Sequence, residues 1–328
     1  MVLSLDDERR LAVSPVFNTV VSETQSVFVK ECQDLGLAYA QAKLELRRDA
    51  PATCHRAFKS FRGQPKKEGD YFVRKWLGIR LNAVKRGMVV DSSVTPDFLR
   101  YITPDTCPVT LEPLDFGTRG QSRMNPSLDR LVNEVGYLAG NICVLSQRAN
   151  RAKGERTFEE VVAHAQKGVA ADGLEGVEWM RLCSLMYGAW NKAFGQGDPW
   201  LMPLAAIPAP GIFMTTPQVV QLLLTRLAQR QDSDADAHLV WLDLTNQAGM
   251  PVSRYIDFMQ ALTQALADED YAGNAWVHPG VFDAFESWYN PSHKPVLAYV
   301  EAVLKVRTER LDDPFATMLW PLRGGRIH

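Results

Sequence analysis

Apolar residues recur at helical spacing over positions 14–48, where Phe17, Val20, Val21, Val27, Phe28, Leu35, Ala38 and Leu44 fall close to three or four apart. That spacing gathers side chains on one face of a helix. The polar stretch 62–70 (RGQPKKEGD) breaks the pattern. It resumes over 71–86, with Phe72, Trp76, Ile79 and Ala83 as an apolar stripe and Gly87 placed to end the helix. Trp76, inside that stripe, reads as a core residue rather than a platform for a base. From there to Asn141 turn residues cut the chain into short pieces, which predicts small strands and loops.

Helical periodicity returns at Ser146 and again over 157–166 and 178–194. The stretch 195–216, rich in Gly and Pro, reads as a linker or lid. Further helices are expected over 217–231, 252–267, 280–289 and 294–311. The pattern contains no internal repeat and no low-complexity segment. It divides the chain into an N-terminal helical region (1–60), a basic central region (61–160), helices with a Pro/Gly-rich linker (161–216) and a helical C-terminal domain (217–328).

Composition adds little until charge is followed along the chain. At 328 residues, 46% apolar and 23% charged, the chain has the make-up of a soluble globular protein with room for two domains. The start carries Asp6, Asp7, Glu8, Arg9 and Arg10 with no apolar run behind it, and the most apolar stretch, 201–214, is short and broken by Pro203, Pro208 and Pro210. A membrane span is therefore not expected, and the protein is expected to be cytoplasmic. Five scattered cysteines with no CxxC pair predict reduced thiols and no structural zinc. Cys107 and Cys143 are the pair that a zinc role would need.

The net charge of −2 hides an asymmetry. Residues 43–86 hold 13 basic and 4 acidic side chains, a balance of +9, and 118–156 hold 7 and 3, or +4. From 157 onward there are 12 basic and 20 acidic, or −8. Two basic stretches ahead of an acidic remainder fit a polyanion-binding part joined to a different part. The acidic half offers a route to a protein partner or to self-association. The same charges would also fit a long solvated helical face.

The stretch with chemistry in it is NPSLDRLVNEVGYLAGNICVLSQRANRAKG, residues 125–154. Asp129 precedes a turn-rich segment holding Asn133, Gly136 and Gly140, and 142–145 reads as an apolar strand. Ser146 is a plausible N-cap for a short helix carrying Arg148, Asn150, Arg151 and Lys153. Asn150 lies four residues past Ser146 and three before Lys153, so the three share a helix face. A hairpin feeding that helix can bring Asp129 and Asn150 together as a hard oxygen site suited to Mg²⁺ or Mn²⁺.

This stretch resembles the phage-encoded HNH and recombination endonuclease VII-like sequences of the His-Me finger superfamily. The matching residues are Ser127, Leu128, Asp129 and Arg130, then Gly136 and Tyr137, Gly140 and Asn141, and the helix RANRAK over 148–153. Upstream, Lys85, Arg86 and Gly87, Thr95, Pro96 and Asp97, Cys107, Pro108 and Val109, and Glu112, Pro113 and Leu114 follow the family order. The resemblance spans Trp76 to Lys153, about 80 of the 328 residues. It implies a mainly α chain, α+β overall, with a small ββα-metal module near its centre. It further implies Asp129 and Asn150 as ligands of one divalent ion, with Asn141 tying the hairpin together.

The activity so implied is Mg²⁺-dependent hydrolysis of DNA, duplex or branched, by a phage or mobile-element protein working in a bacterial host cell. Arg74, Lys75, Arg80, Lys85, Arg86, Arg148, Arg151 and Lys153 are the expected DNA contacts, reaching phosphate and so largely indifferent to sequence. Arg130 departs from the pattern, because the residue after the metal-binding Asp is commonly the His that serves as base. A guanidinium stays protonated and has no acceptor, so Arg130 can bind phosphate or stabilise charge but cannot take a proton. Another group supplies the base (His164 and His55 are nominal choices), or the metal activates water, or the site binds without cutting. That last option defines the rival: a DNA-binding or structural phage protein that keeps the ββα scaffold.

Plainer readings stand beside these. Asp129 and Arg130 alone would pass for a turn with a local ion pair, Asn141 for a turn residue, and Arg148, Arg151 and Lys153 for a solvated helix face. Asp232, Asp234 and Asp236 imitate a calcium loop, but Ala237 and Asp243 stand where that loop needs Gly and Glu. His238, His278 and His293 have no metal-ligand spacing.

Overall fold

The structure, a computed structural model, describes residues 15–65, 68–88, 90–117, 122–195, 200–209, 211–230 and 235–309, with side chains over the same ranges except 15–25, 235 and 303–309. Its elements are mostly helices, with one two-stranded antiparallel sheet among the described residues. They fall into two compact units. One reaches to Tyr101 and includes Gly136–Leu138; the other comprises Ile102–Val135 and the chain from Ala139 onward.

The first unit holds α1 (Pro15–Gln41), α2 (Ala52–Ser60) and α3 (Tyr71–Lys85). Their core joins Cys32, Leu35 and Tyr39 of α1 to Cys54 of α2 and to Leu77, Leu81 and Val84 of α3. Helices α1 and α2 pack closely at Gly36, where an added Cβ would lie 2.2 Å from the Cys54 carbonyl oxygen. Asp70 caps α3 by accepting from the Val73 N–H at 2.9 Å, and Gly87 follows it at φ +71°. Leu77, Leu81 and Ala83 are the most deeply buried side chains on α3; of the expected stripe, Ile79 and Ala83 are buried whereas Phe72 and Trp76 are half-buried. Helix α1 also stops short of the expected 48, because Lys43 takes φ +55° and reverses the chain. Leu44 still packs on the core, which is why its spacing passed for helix.

One more helix precedes the hairpin. Thr95, Pro96 and Asp97, expected among strands and loops, begin α4 (Pro96–Ile102), whose Phe98 N–H donates to Thr95 Oγ1 at 3.1 Å. Pro at the first helical position and a Thr cap are ordinary helix-starting chemistry.

In the second unit, strands β1 (Pro126–Arg130) and β2 (Ile142–Ser146) form the antiparallel pair, with Asp129 opposite Cys143 and Ser127 opposite Leu145. Helix α5 (Gln147–Lys153) follows β2 at once and packs on both strands. Helices α6 (Phe158–Lys167) and α7 (Gly176–Phe194) then pair with each other. The remaining helices are α8 (Thr216–Ala228), α9 (Ala235–Gln247), α10 (Ser253–Asp268), α11 (Ala272–Ala275) and α12 (Pro279–Glu309). They close around Trp241, Phe258, Trp276, Phe285 and Trp288. Two indoles there reach hydroxyls, Trp276 to Thr225 and Trp288 to Thr245, each at 2.8 Å, so neither N–H is buried without a partner.

Two expectations about connections fail. The stretch 195–216 is not a linker where it is described. Leu204, Ala205 and Ala206 are buried, and Phe213 N–H donates to the Gly140 carbonyl at 3.1 Å. That strap lies against Gly188 of α7, where an added Cβ would meet the Phe213 carbonyl oxygen at 2.0 Å. Helices expected over 280–289 and 294–311 are one helix, α12, which runs through Pro291 and Pro295. Each proline removes a helix hydrogen bond. Phe285, Trp288 and Tyr289 before them, with Val296 and Val300 beyond, bury themselves in one core and hold the axis. Asp232, Asp234 and residues past 309 lie outside the described residues, while Asp236 sits in the first turn of α9. No described helix is long and apolar enough to cross a membrane.

Candidate functional site

Strand alternation puts Ser127 and Asp129 on one face of β1, and helical spacing puts Asn150 and Lys153 on one face of α5. These two faces meet. Asn150 Nδ2 donates to Ser127 Oγ at 2.6 Å and to the Leu128 carbonyl at 3.3 Å. Lys153 Nζ lies 3.1 Å from Asp129 Oδ2. Local chemistry fixes the turn between strand and helix: Ser146 ends β2 and caps α5, accepting from the Ala149 N–H at 3.2 Å. Its own N–H donates to Cys107 Sγ at 3.2 Å, anchoring the 107–114 turn to the hairpin.

Asp129 is buried, and desolvation pushes its carboxyl up to about 6 even though Lys153 and Arg130 pull it down. Its Oδ2 meets the Lys153 ammonium at 3.1 Å without the alignment of a directed hydrogen bond. Cys143, opposite Asp129 across the sheet, is buried, and desolvation with the Asp129 charge raises its thiol far above the ordinary range.

Asn141 is fully buried and clasps Val132 both ways, its Oδ1 accepting from the Val132 N–H at 2.9 Å and its Nδ2 donating to the Val132 carbonyl at 2.8 Å. The adjacent Gly140 sits at φ +93° with the Phe213 ring 2.4 Å from any added Cβ. A glycine–asparagine pair is thus required there by geometry: one residue for the turn, the next to close the hairpin.

Arg130 turns to the loop, donating from Nη1 to the Asn133 carbonyl at 2.9 Å. The other expected DNA contacts divide by burial. Lys153 is fully buried, so in this arrangement it cannot reach a phosphate in solvent. Arg148 is largely enclosed, ion-paired with Glu178 and, at 3.4 Å, with Glu112, and donating to the Gly173 carbonyl at 2.9 Å. Arg80 is likewise enclosed, holding Glu31 at 2.8 Å and lying over the Trp76 ring. Lys85 pairs with Asp49 at 2.5 Å, and Lys75, whose ammonium is disfavoured by burial, covers Tyr71. Arg74, Arg86 and Arg151 are exposed, as is Lys85. Of the nominal bases, His164 stacks on Trp179 at 4.3 Å and faces Asp172 at 3.8 Å, and His55 lies on α2 of the first unit.

Among the described residues no three His, Cys, Asp or Glu side chains gather as a metal cluster. The donor set is therefore one carboxylate and one amide, both hard oxygens, and water and phosphate would supply any other ligands. The residues fit a Mg²⁺-like ion in that chemical sense. The buried Asp129 Oδ2 lacks a directed partner, and both Asn150 hydrogen bonds use the amide nitrogen, leaving its oxygen outside them. Sequence reasoning missed Ser127 as the Asn150 anchor and Lys153 as the counter-charge. The shared helix face of Asn150 and Lys153 was the available signal for both. No family model, curated protein or solved structure matches the chain.

Proposed function

We propose that the chain is a Mg²⁺- or Mn²⁺-dependent DNA endonuclease with an HNH-like site on the β1–β2–α5 unit. The observation that carries this reading is the docking of α5 on β1 beside Asp129: Asn150 donates to Ser127 and to the Leu128 carbonyl, and the buried Asp129 Oδ2 has no directed hydrogen bond. A bound divalent ion would supply the charge that polarises the scissile phosphate and eases departure of its 3′ oxygen. Asp129 and Asn150 would hold that ion. Ser127 fixes the Asn150 amide, and Lys153 favours the ionised form of Asp129. Arg130, on the strand that carries Asp129, is a cation for phosphate and not a base.

A second reading, a DNA-binding scaffold that does not cut, is favoured by one observation: Lys153 already places a positive charge 3.1 Å from Asp129 Oδ2. Supercoiled plasmid with Mg²⁺ or Mn²⁺, tested against wild type, Asp129→Ala and Asn150→Ala, separates the two. Nicking by wild type and loss in both variants is expected. Equal inertness with retained gel shift would leave the scaffold reading. Absence of any shift would end both.

A further inference from the structure

Beside the hairpin loop lies a cavity of about 260 Å³ whose walls include Asn133, Glu134, Phe158, Glu159, Trp190 and Phe194. We propose that it is a base pocket, receiving one unpaired nucleobase of the nucleic acid that the hairpin engages. The proposal rests on the nucleic-acid reading of that hairpin and names the kind of substrate: a strand with a bulged, flapped or otherwise unstacked base.

The walls have the chemistry of a base site. Phe158 and Trp190 stack at 4.7 Å between centroids, Trp190 stacks on Trp200 at 5.7 Å, and Phe158 stacks on Tyr187 at 5.7 Å. An added planar ring extends a stack that already exists. Phe194, at the end of α7, is 51% exposed, a large apolar ring left in solvent at the pocket wall. Every nucleobase has a π-face for such rings, whatever its identity.

Charge selects which part of a nucleotide enters. The one cation in the wall, Arg156, is already held by Asp172 and by the Ala152 carbonyl, each at 2.6 Å, so Glu134 and Glu159 make the cavity unfavourable for a phosphate while offering acceptors to exocyclic amines and ring N–H groups. Glu159 Oε1 accepts from Trp190 Nε1 at 3.0 Å, which fixes the carboxylate against the ring wall. The phosphate then belongs outside, where Arg130 donates to the carbonyl of Asn133, a wall residue. Size excludes the alternatives: the volume falls below that of pockets for drug-sized molecules, so it takes a single ring system and no base pair. A duplex must therefore present a base already unpaired, or surrender one at the cost of unstacking.

The test uses the full chain in EDTA, so that binding is read without cleavage. The probes are a DNA duplex with a single bulged 2-aminopurine, the same duplex fully paired, and the bulged RNA equivalent. Tighter binding of a bulged probe by at least about fivefold, with quenched 2-aminopurine emission, is expected from one stacked base. Comparison of the DNA and RNA bulges identifies the backbone preferred. Phe194→Ala, an exposed position that should not disturb folding, is expected to remove that preference and leave paired-duplex binding unchanged; Trp190→Leu repeats the test from the wall. Equal affinity for bulged and paired probes with unchanged emission overturns the pocket while the hairpin reading stands. Failure to bind any probe overturns both.

Discussion

Replacing Lys153 with Met removes an ammonium from a site with no solvent to take its place. At 3.1 Å and an effective dielectric of about 20, the attraction to Asp129 is worth about 5 kcal/mol. Asp129 need not lose all of it, because a carboxyl that loses its counter-charge can protonate instead. In the wild type its folded value of about 6 lies above the unfolded 3.8, so its contribution to stability is full below about 3.8 and is lost as pH rises to about 6. Above 6 the wild type has no more to lose from this group. In Lys153→Met the folded value rises further, so the loss continues at about 1.4 kcal/mol per pH unit until the new value is reached. The stability gap between the proteins should therefore widen from pH 6 to pH 8. Urea denaturation at pH 5, 6, 7 and 8, with the slope m unchanged, measures it. Adding Asp129→Asn to the Met variant should abolish the extra slope. A gap independent of pH would mean that Asp129 and Lys153 are not coupled, and the buried pair would fall as an account of the site.

Three other outcomes follow from the same geometry. Gly140→Ala should cost at least about 1–3 kcal/mol for its left-handed backbone alone, and Phe213→Ala should recover only the steric part, read by thermal denaturation. Asn141→Ala strands the buried N–H and C=O of Val132 and should cost about 2–4 kcal/mol, with Asn141→Asp retaining only the accepting half of the clasp; no loss in either would deny the clasp. Of the eight basic residues expected to contact DNA, four (Arg74, Lys85, Arg86 and Arg151) are exposed, so this set supports a log K against log salt slope of about −4 rather than about −7 on duplex DNA. A slope near −7 would require the enclosed Lys75, Arg80, Arg148 and Lys153 to turn outward.

Periodicity made the helices legible wherever burial alone decided the pattern, and misled where two causes give one pattern. Leu44 keeps helical spacing beyond the end of α1 because it packs on the core from a loop. Pro291 and Pro295 read as a break because a proline's local cost is visible in sequence, whereas the aromatic core that overrides it also draws on Trp241 of α9, Tyr255 and Phe258 of α10, and Trp276. The Pro/Gly-rich stretch before α8 read as a linker for a related reason. Its glycines and prolines mark an irregular backbone, but only tertiary contact shows that Leu204 and Ala205 are buried.

The site was legible through residues that act by backbone geometry, and obscure through those that act by charge. Gly140, Asn141 and Ser146 do what their side chains allow in any hairpin followed at once by a helix: turn, clasp and cap. A basic residue has no such local signature, since the same letter serves a phosphate, a surface or a buried carboxylate. Lys153 could nevertheless have been assigned. Once Asn150 is turned toward β1 to meet Asp129, a residue three positions later on a seven-residue helix must point the same way. Inward, with Asp129 the acidic residue of β1, the ammonium has a partner; without one, burying it would cost several kcal/mol. The face argument that selects Asn150 as a metal ligand thus also commits Lys153 to the carboxylate. Any ion binding at Asp129 must do so beside that charge, which makes metal affinity in Lys153→Met, set against wild type, the direct measure of how far the lysine opposes it.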